Sequence, residues 1–311
     1  MAISRGGVRW AVACRHPLKD REYAMAMPAV IRSAQEMQSR SRQLRQAGRR
    51  IGFVPTMGAL HEGHLSLVRA AKRECDEVVV SIYVNPTQFG RGEDFDRYPR
   101  NLDRDLQLLA ELDVPWVFAP TDSEMYPAGF DTWVEVGRIA QPWEGTFRPG
   151  HFRGVATVVL KLFHLVEPDV AYFGEKDYQQ LLVVRQMVRD LNLPVEIRAC
   201  PTVREPDGLA MSSRNQYLSP RERQDALVLY RSLCLAQERV SAGENDARAV
   251  TAAMRELISS VPYAQVDYVA LVDPETLEEV TIIDRPVQAL LAVRLGSTRL
   301  IDNMRIVPPS R

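Results

Sequence analysis

The amino-acid sequence predicts an α/β fold, a doubly wound and mostly parallel sheet followed by a smaller α+β domain. Between about residues 50 and 200, short apolar runs alternate with longer segments of helical periodicity, as in parallel sheets with crossover helices. After residue 200 the alternation gives way to helical segments and then to strand-like runs. The chain has 311 residues, more than a typical domain of ~100–150 residues, so two domains are expected.

The elements of the first domain follow in order along the chain. An apolar run at 50–54 is of strand type, and apolar residues recur at helical spacing from Leu65 onwards. Further predicted elements are strands at 78–84, 115–119, 132–136, 170–173 and 195–199, and helices at 101–112 (capped by Asn101), 154–166 and 178–191. The loop 86–99 contains two glycines and several charged residues, which favours a mobile flap.

The second domain begins with helices and ends with strands. Ser219 and Pro220 are typical of a helix start, and this helix is expected to run towards Val240. The remaining predicted elements are a helix at 246–259 and strands at 265–272, 286–293 and 299–301. No long linker separates the two domains.

Composition and charge limit the classes of function. The hydrophobic share of 46% and the charged share of 25% are ordinary for a soluble globular protein. A formal net charge of −1 gives no general electrostatic reason to bind nucleic acid or an anionic membrane. The four cysteines are scattered, which argues against a zinc site or a disulfide framework. Apolar stretches are too short for a membrane span, so a cytoplasmic protein is expected.

Residues 1–26 have a different character from the rest of the chain. Several arginines stand beside Asp20 and Glu22, and the short apolar run 8–14 contains Arg9, so a secretory signal is not indicated. The acidic residues also weaken the case for an organellar transit peptide. We interpret this segment as a poorly ordered N-terminal extension, with Met25 and Met27 as alternative starts.

A turn with two histidines follows the predicted strand at 50–54. Its sequence is PTMGALHEGH, at 55–64, and a helix follows. In an open parallel sheet the crevice at the carboxyl ends of the strands binds ligands, and a helix N-terminus offers free N–H groups to a phosphate. His61 and His64 add imidazole donors, which favours a nucleotide-phosphate site. For this segment alone, surface or capping histidines are an equal alternative.

Two other histidine- or glycine-containing motifs do not fit this turn. The metalloprotease helix has its histidines four residues apart, whereas His61 and His64 are three apart. The P-loop requires a Gly-Lys-Ser/Thr sequence, and no such lysine follows Gly58. Neither a zinc protease nor a P-loop enzyme is therefore indicated.

A second polar loop lies at 208–215 and has the sequence GLAMSSRN. The hydroxyls of Ser212 and Ser213 can donate to phosphate oxygens, and the planar guanidinium of Arg214 can grip them with two bonds. Taken alone, an ordinary serine-rich connection is the simpler interpretation. The presence of both motifs, in this order, favours a loop that closes on a triphosphate.

Five longer segments carry a more specific pattern. They are PTMGALHEGHLSLV at 55–68, VSIYVNPTQF at 80–89, RPGHFRGVATVV at 148–159, FGEKDYQQL at 173–181 and PTVREPDGLAMSSRNQYLS at 201–219. Together they resemble the pantoate–β-alanine ligase family, within the nucleotidyltransferase superfamily that includes the class I aminoacyl-tRNA synthetases. They occur in the family's order, and five long motifs do not coincide by accident.

The resemblance implies an ATP-dependent ligase. Such an enzyme joins (R)-pantoate to β-alanine and yields pantothenate, AMP and pyrophosphate through a pantoyl adenylate. ATP is then a substrate, and Mg²⁺ is carried with the nucleotide rather than by a dedicated protein cage. The resemblance further implies a Rossmann-like nucleotide- and pantoate-binding domain over 27–200, a C-terminal domain over 201–311 that closes over the active site, and a homodimer.

The same resemblance assigns residues to the site. The implied catalytic residues are His61, His64 and Lys176, with His64 the better candidate for proton donation. The implied ATP-binding residues are Met57, Gly58, Ala59, Leu60, His61, Glu62, Gly63, His64, Gly174, Glu175, Lys176, Asp177, Val203, Met211, Ser212, Ser213 and Arg214. The implied pantoate- and β-alanine-binding residues are Gln88, Gln180 and Asn85. For Arg148, His151 and Arg153 two roles stay open, namely contact with a ligand and bracing of the sheet.

Three alternative functions are weighed against this one. A tRNA synthetase is disfavoured because Ala210-Met211-Ser212-Ser213-Arg214 lacks both lysines of the corresponding synthetase motif, and because the chain is near neutral. Another small-molecule adenylyltransferase would transfer AMP to its product, so free AMP would exclude it. A catalytically inactive, ligand-binding relative is disfavoured by the intact set of histidine, lysine, serine and arginine residues.

Overall fold

The computed structural model describes residues 26–309. The extension predicted at 1–26 therefore lies outside the described residues, apart from Ala26. The helices are α1 Ala34–Gln46, α2 Glu62–Glu74, α3 Leu102–Ala110, α4 Asp122–Met125, α5 Glu144–Phe147, α6 His151–Val166, α7 Tyr178–Asp190, α8 Pro220–Asp225, α9 Leu227–Ser241 and α10 Ala247–Ser259. The strands are β1 Ala29–Ile31, β2 Ile51–Thr56, β3 Glu77–Ile82, β4 Trp116–Phe118, β5 Val170–Gly174, β6 Glu196–Cys200, β7 Ala264–Val272, β8 Val287–Leu295 and β9 Thr298–Ile306. Short 3₁₀ turns lie at Pro86–Gln88, Arg138–Ala140, Glu175–Asp177 and Ser213–Tyr217.

A six-stranded parallel sheet has the order β1-β4-β3-β2-β5-β6. Strand β2 pairs with β3 on one side and with β5 on the other, so the strand order reverses around β2. In doubly wound folds, ligands bind outside the carboxyl ends of the strands at such a reversal. The predicted fold class is confirmed, and the ends of β2 and β5 mark where a site is expected.

Helices cover both faces of the parallel sheet, and neighbouring side chains of β2 pack against helices on opposite faces. Phe53 packs on one face with Met37 of α1 and with Phe163 of α6, whose ring centroid lies 6.3 Å away. Val54 points to the other face, where Leu109 of α3 belongs to the same buried cluster. Strands buried on both faces read as continuous apolar runs, which is why β2 and β3 were recognisable in the sequence.

The antiparallel sheet β7-β8-β9 packs on two neighbours. One face covers the apolar sides of α9 and α10. The other face meets the first part of the chain, where Tyr268 packs with Trp143, Tyr178 and Leu182. A buried ion pair reinforces this contact, since the two terminal NH₂ groups of Arg299 in β9 donate to the carboxylate of Glu144. The two parts of the chain are therefore packed together through both apolar and charged contacts.

Several predicted elements need correction. Residues 132–136 form no strand, because no strand among residues 26–309 pairs with them; the Val134 N–H instead donates to the Thr157 hydroxyl at 3.0 Å. The helix predicted from Ser219 to Val240 is interrupted at Ala226. The last strand, β9, continues to Ile306 rather than ending at 301. Neither β1 nor α1 was predicted.

Candidate active site

The histidine turn begins α2 with a reciprocal pair of caps. His61 is the N-cap residue, and its Nδ1 accepts a hydrogen bond from the Gly63 N–H at 3.2 Å. The His61 N–H in turn donates to Nδ1 of His64 at 3.3 Å. The two rings lie 4.1 Å apart between centroids. Because both Nδ1 atoms accept, each neutral ring carries its proton on Nε2, and two N–H donors remain available to a ligand.

Burial keeps both imidazoles neutral at physiological pH. Loss of solvent, followed by the positive charge of Lys176, lowers the pKa of His61 to about 4. Loss of solvent, followed by His61 and then Lys176, lowers the pKa of His64 to about 3. Gly63 is required between them because a Cβ atom there would lie 2.8 Å from the His61 ring. The turn therefore presents neutral N–H donors rather than imidazolium groups.

The carboxylate of Asp105, in α3, binds the backbone at the start of this turn. Its two carboxylate oxygens accept from the Ala59 N–H at 2.9 Å and from the Leu60 N–H at 2.8 Å. Ala59 has a φ of 49°, a conformation that a side chain disfavours. The Asp105 side chain is buried, and this burial raises its pKa. Two buried backbone donors thus depend on one carboxylate.

Lys176 approaches the same place from the end of β5. It lies in the 3₁₀ turn Glu175–Asp177, its side chain is 19% exposed, and its ammonium is 3.8 Å from the Asp177 carboxylate. Lys176, His61 and His64 line the same cavity, and the lysine charge lowers the pKa of both histidines. Strands β2 and β5 are neighbours, so the turns that follow them meet.

The Ser-Ser-Arg loop closes against the histidine turn. The Ser213 hydroxyl donates to the Ala59 carbonyl oxygen at 3.1 Å, so one hydrogen bond joins the two predicted motifs. Ser212 caps the 3₁₀ turn that follows, accepting from the Arg214 N–H at 3.3 Å. The Arg214 guanidinium donates to both oxygens of Asp94, each at 2.9 Å. In this state Arg214 is paired with a carboxylate of the 86–99 loop.

Gln88 and Asn85 occupy a buried turn after β3. The Asn85 amide donates to the Gln88 side-chain oxygen at 3.1 Å and to the Gly154 carbonyl at 3.2 Å. Its own oxygen accepts from the Tyr126 hydroxyl at 2.8 Å. The Gln88 amide donates to the Met57 sulfur at 3.2 Å. Asn85 therefore orients Gln88, and Gln88 faces the site.

Arg148 and His151, whose roles the sequence leaves open, line the same cavity as Gln88 and hydrogen-bond to residues around it. His151 donates from Nδ1 to the Gln88 carbonyl oxygen at 2.8 Å, and its Nε2 accepts from Arg148 at 3.1 Å. Burial, followed by the charge of Arg148, lowers the His151 pKa to about 4. Arg148 also donates two bonds to Glu93, at 2.7 and 2.8 Å. Arg153 instead stacks on the Trp133 ring, outside the site.

These groups surround a cavity of about 220 Å³. The predicted residues on its wall are Met57, His61, Gly63, His64, Asn85, Gln88, Gly174, Lys176, Asp177, Gln180, Val203, Met211, Ser212, Ser213 and Arg214. A second cavity of about 440 Å³ adjoins it between the two parts of the chain. The predicted residues on neither wall are Gly58, Ala59, Leu60, Glu62 and Glu175. Among these, Leu60 is buried in the core, and the Glu62 carboxylate pairs with Arg69.

Three residues that the sequence did not reveal hydrogen-bond to the groups that form the histidine cavity. Asp105 grips the histidine turn, Asp94 holds Arg214, and Asn303 of β9 contacts the turn of Lys176. Each of these contacts spans 45 or more residues of the chain. Local spacing carries no signal of such contacts, although an Asp in the first turn of a helix is a common cap or ligand.

The fold and the site together define a class of protein. The molecule is a doubly wound α/β protein with its candidate site at the reversal of strand order. Two neutral imidazoles, one lysine and a Ser-Ser-Arg loop converge there from three separate turns. Among residues 26–309, no group of three or more His, Cys, Asp and Glu side chains is arranged to hold a metal ion. Over the same range, no helix is long and apolar enough to span a membrane.

The chain belongs to the pantoate–β-alanine ligase family, whose profile matches residues 29–305. A pantothenate synthetase of Roseiflexus castenholzii is 60% identical over 253 residues, which are 81% of this chain and 91% of the relative. A pantothenate synthetase of Rubrobacter xylanophilus is 54% identical over 287 residues, 90% of this chain and 99% of the relative. The resemblance found in the sequence is thereby confirmed.

Solved structures agree in fold. The crystal structure of pantothenate synthetase from Thermus thermophilus superposes with a TM-score of 0.85 at 50% identity, covering 90% of this chain and 99% of that one. The crystal structure of pantoate-β-alanine ligase from Francisella tularensis, complexed with beta-gamma ATP and β-alanine, has a TM-score of 0.75 at 38% identity. It covers 90% of this chain and 98% of that one.

Proposed function

We propose that this protein joins (R)-pantoate to β-alanine in a reaction driven by ATP. A carboxylate does not react with an amine at neutral pH because oxide would have to leave. In the first step a pantoate carboxylate oxygen attacks the α-phosphorus, the bond to the β-phosphate breaks, and pyrophosphate leaves. In the second step the neutral amine of β-alanine attacks the acyl carbon, AMP leaves, and the nitrogen loses a proton. The products are pantothenate, AMP and pyrophosphate.

The observation that carries this proposal is the pair of neutral imidazoles on the wall of the cavity that Lys176 also lines. Charge builds on the phosphate oxygens as pyrophosphate leaves, and fixed N–H donors stabilise it without reorganising. Nε2–H of His61 and of His64 would supply such donors, and Lys176 would supply a positive charge. Proton transfer is not needed in this step. We therefore assign His64 a hydrogen-bonding role in place of the proton donation first expected.

The remaining site residues suit the other parts of the substrates. Ser212 would donate to phosphate oxygens, and Ser213 would do so once its hydroxyl leaves the Ala59 carbonyl oxygen. Arg214 would join them once it leaves Asp94. Gln88 and Gln180 lie on the cavity wall, and an amide both donates and accepts, as hydroxyls and a carboxylate require. The Val203 carbonyl already accepts from the Met211 N–H at 3.0 Å. We propose that the backbone N–H of Val203 donates to the nucleotide.

Magnesium would enter with the nucleotide. Mg²⁺ keeps several waters and commonly binds substrate phosphates with few protein ligands. The donor set on the cavity wall suits phosphate oxygens and consists mainly of N–H and O–H groups, with Asp177 as the acidic member. When bound, the ion would neutralise charge on the triphosphate, and this chain's own residues would orient the α-phosphate.

We also propose that the protein is a cytoplasmic homodimer with two domains per chain, divided near residue 200. The segment 131–137 supports the dimer, because it is mostly exposed and pairs with no strand among the described residues, which leaves it available to a second copy of the chain. Trp133 is 40% exposed there. Light scattering should give twice the chain mass, and Trp133→Glu should shift the protein towards the monomer. A monomeric wild type would contradict this.

Replacing each imidazole tests the chemistry. His64→Ala and His61→Ala should each lower pyrophosphate release by about 10²–10³-fold, as removal of a transition-state donor does. Each variant loses one capping hydrogen bond of α2, so the melting temperature should fall by a few degrees while the protein stays folded. His164→Ala is the matched control, since this histidine is exposed on α6 away from the cavity. Full activity of His64→Ala would overturn the assignment.

A further inference from the structure

Two adjacent residues of β9 link the active-site turns to each other. Asp302 is 3% exposed and Asn303 is 6% exposed. Neither belongs to the motifs that identify the site. The Asn303 amide donates to the carbonyl oxygens of Glu175 at 2.9 Å and of Lys176 at 2.8 Å. These are backbone atoms of the 3₁₀ turn that carries the lysine.

The orientation of the Asn303 amide is itself fixed. Its oxygen accepts from the Gln288 side chain at 2.8 Å, so its N–H₂ group must face the turn. Gln288 lies on the neighbouring strand β8 and is 4% exposed. A short 3₁₀ turn leaves carbonyl groups without partners inside the turn. A buried amide with two donors, held by a second amide, satisfies two of them at once.

Asp302 holds the other loop. Its carboxylate accepts from the Arg204 guanidinium at 2.7 and 2.9 Å. Arg204 also donates to the Gly208 carbonyl at 3.0 Å and lies over the Tyr230 ring at 4.6 Å. The backbones of Arg204 and Ala210 form a β-bridge, which closes the base of the loop that continues into Ser212–Arg214.

We infer that Asp302 and Asn303 are positioning residues that set the place of Lys176 and of the Ser-Ser-Arg loop relative to the histidine turn. Neither lines the cavity that contains the histidines, although Asp302 lines the adjoining cavity. Both contact the site through backbone carbonyls or through Arg204. Errors of about 1 Å in the placement of a reacting group can cost about 100-fold in rate. The inference rests on the proposed function, because it assumes that Lys176 contacts the nucleotide.

A double-mutant cycle tests whether Asn303 acts through Lys176. Affinity for Mg²⁺ and α,β-methylene-ATP is measured by calorimetry in the wild type, Asn303→Ala, Lys176→Ala and the double variant. Asn303→Ala should weaken binding by about tenfold in the wild-type background and by less than about twofold once Lys176 is absent. Ser232→Ala is the matched control, since this buried hydroxyl of α9 donates to the Leu229 carbonyl and should change neither value.

A merely structural residue would weaken binding equally in both backgrounds, and that result would overturn the inference. If Asn303→Ala does not fold, the same cycle is measured with Gln288→Leu. This variant removes the hydrogen bond that orients the Asn303 side-chain amide and leaves Asn303 itself in place. It should weaken binding about threefold only when Lys176 is present. The proposed function is read separately, from pantothenate formation by the wild type. An active wild type with an additive cycle refutes only the positioning role, whereas an inactive wild type refutes the function.

Discussion

Removing the Asp105 carboxylate should damage the site without touching the histidine cavity. Asp105→Ala leaves the N–H groups of Ala59 and Leu60 buried and unpaired. A hydrogen bond to a charged group contributes about 1.5–3 kcal/mol, and water entering the space would recover part of the two bonds. We expect a net loss of about 2–4 kcal/mol in the free energy that holds the turn in place. At about 1.4 kcal/mol per tenfold, this corresponds to roughly 30- to 700-fold.

The assay is pyrophosphate release at saturating pantoate with ATP varied. We expect kcat/KM for ATP to fall within that range for Asp105→Ala. A smaller fall is expected for Asp105→Asn, whose oxygen can still accept one of the two bonds. Asp103→Ala is the control, because Asp103 lies in the same turn of α3 but is exposed. Wild-type kcat/KM in a folded Asp105→Ala protein would refute the role assigned to this carboxylate.

Three further predictions concern stability and packing. Because the folded pKa of His64 lies below its unfolded value of ~6.5, the unfolded chain takes up the proton first, and stability is lost as pH falls below ~6.5. His64→Gln should therefore lose about 2 kcal/mol less unfolding free energy than the wild type between pH 7 and 5, measured by urea titration. Gly154→Ala should destabilise by about 1–3 kcal/mol and lower activity, since its Cβ would lie 2.4 Å from the Thr87 carbonyl oxygen. Arg299→Met should cost roughly 3 kcal/mol by leaving the Glu144 carboxylate buried without its main cation.

Each of these predictions has a control variant or an outcome that would contradict it. A pH dependence of stability that is unchanged in His64→Gln would mean that this imidazole is not held neutral. Gly90→Ala should be tolerated, because its Cβ would meet only the Glu93 side chain at 3.6 Å. Arg294→Met should have little effect, since Arg294 is 45% exposed and 3.6 Å from Asp267. Equal destabilisation by Arg294→Met and Arg299→Met would contradict the buried pair with Glu144.

The parts of the fold that depend on local pattern were predictable from the sequence. Strands β2, β3 and β5 are apolar runs buried on both faces, and α3 is capped by Asn101, whose side chain accepts from the Arg104 N–H as expected. Strand β1 is only three residues long, and α1 is strongly polar. Neither therefore shows a clear periodic pattern of hydrophobic residues in the sequence. Segment 132–136 has a strand's pattern, but pairing depends on a partner that the sequence does not specify.

The candidate site was predictable where it lies in contiguous motifs. His61, His64, Lys176 and the Ser-Ser-Arg loop do line one cavity, although the details of their protonation and pairing were not foreseeable. Arg214 was expected to be free for phosphate, yet it pairs with Asp94, which lies 120 positions away along the chain. Only the folded chain brings such residues together.

The most direct test of the central proposal is a quenched reaction of the purified protein with ATP, Mg²⁺ and pantoate, with and without β-alanine. Pyrophosphate, AMP and the acylated product are followed in time. We predict that pantoate alone yields one equivalent of pyrophosphate per site, and that AMP and pantothenate appear only after β-alanine is added. Absence of pyrophosphate with pantoate, or transfer of AMP to a stable product, would contradict the ligase proposal.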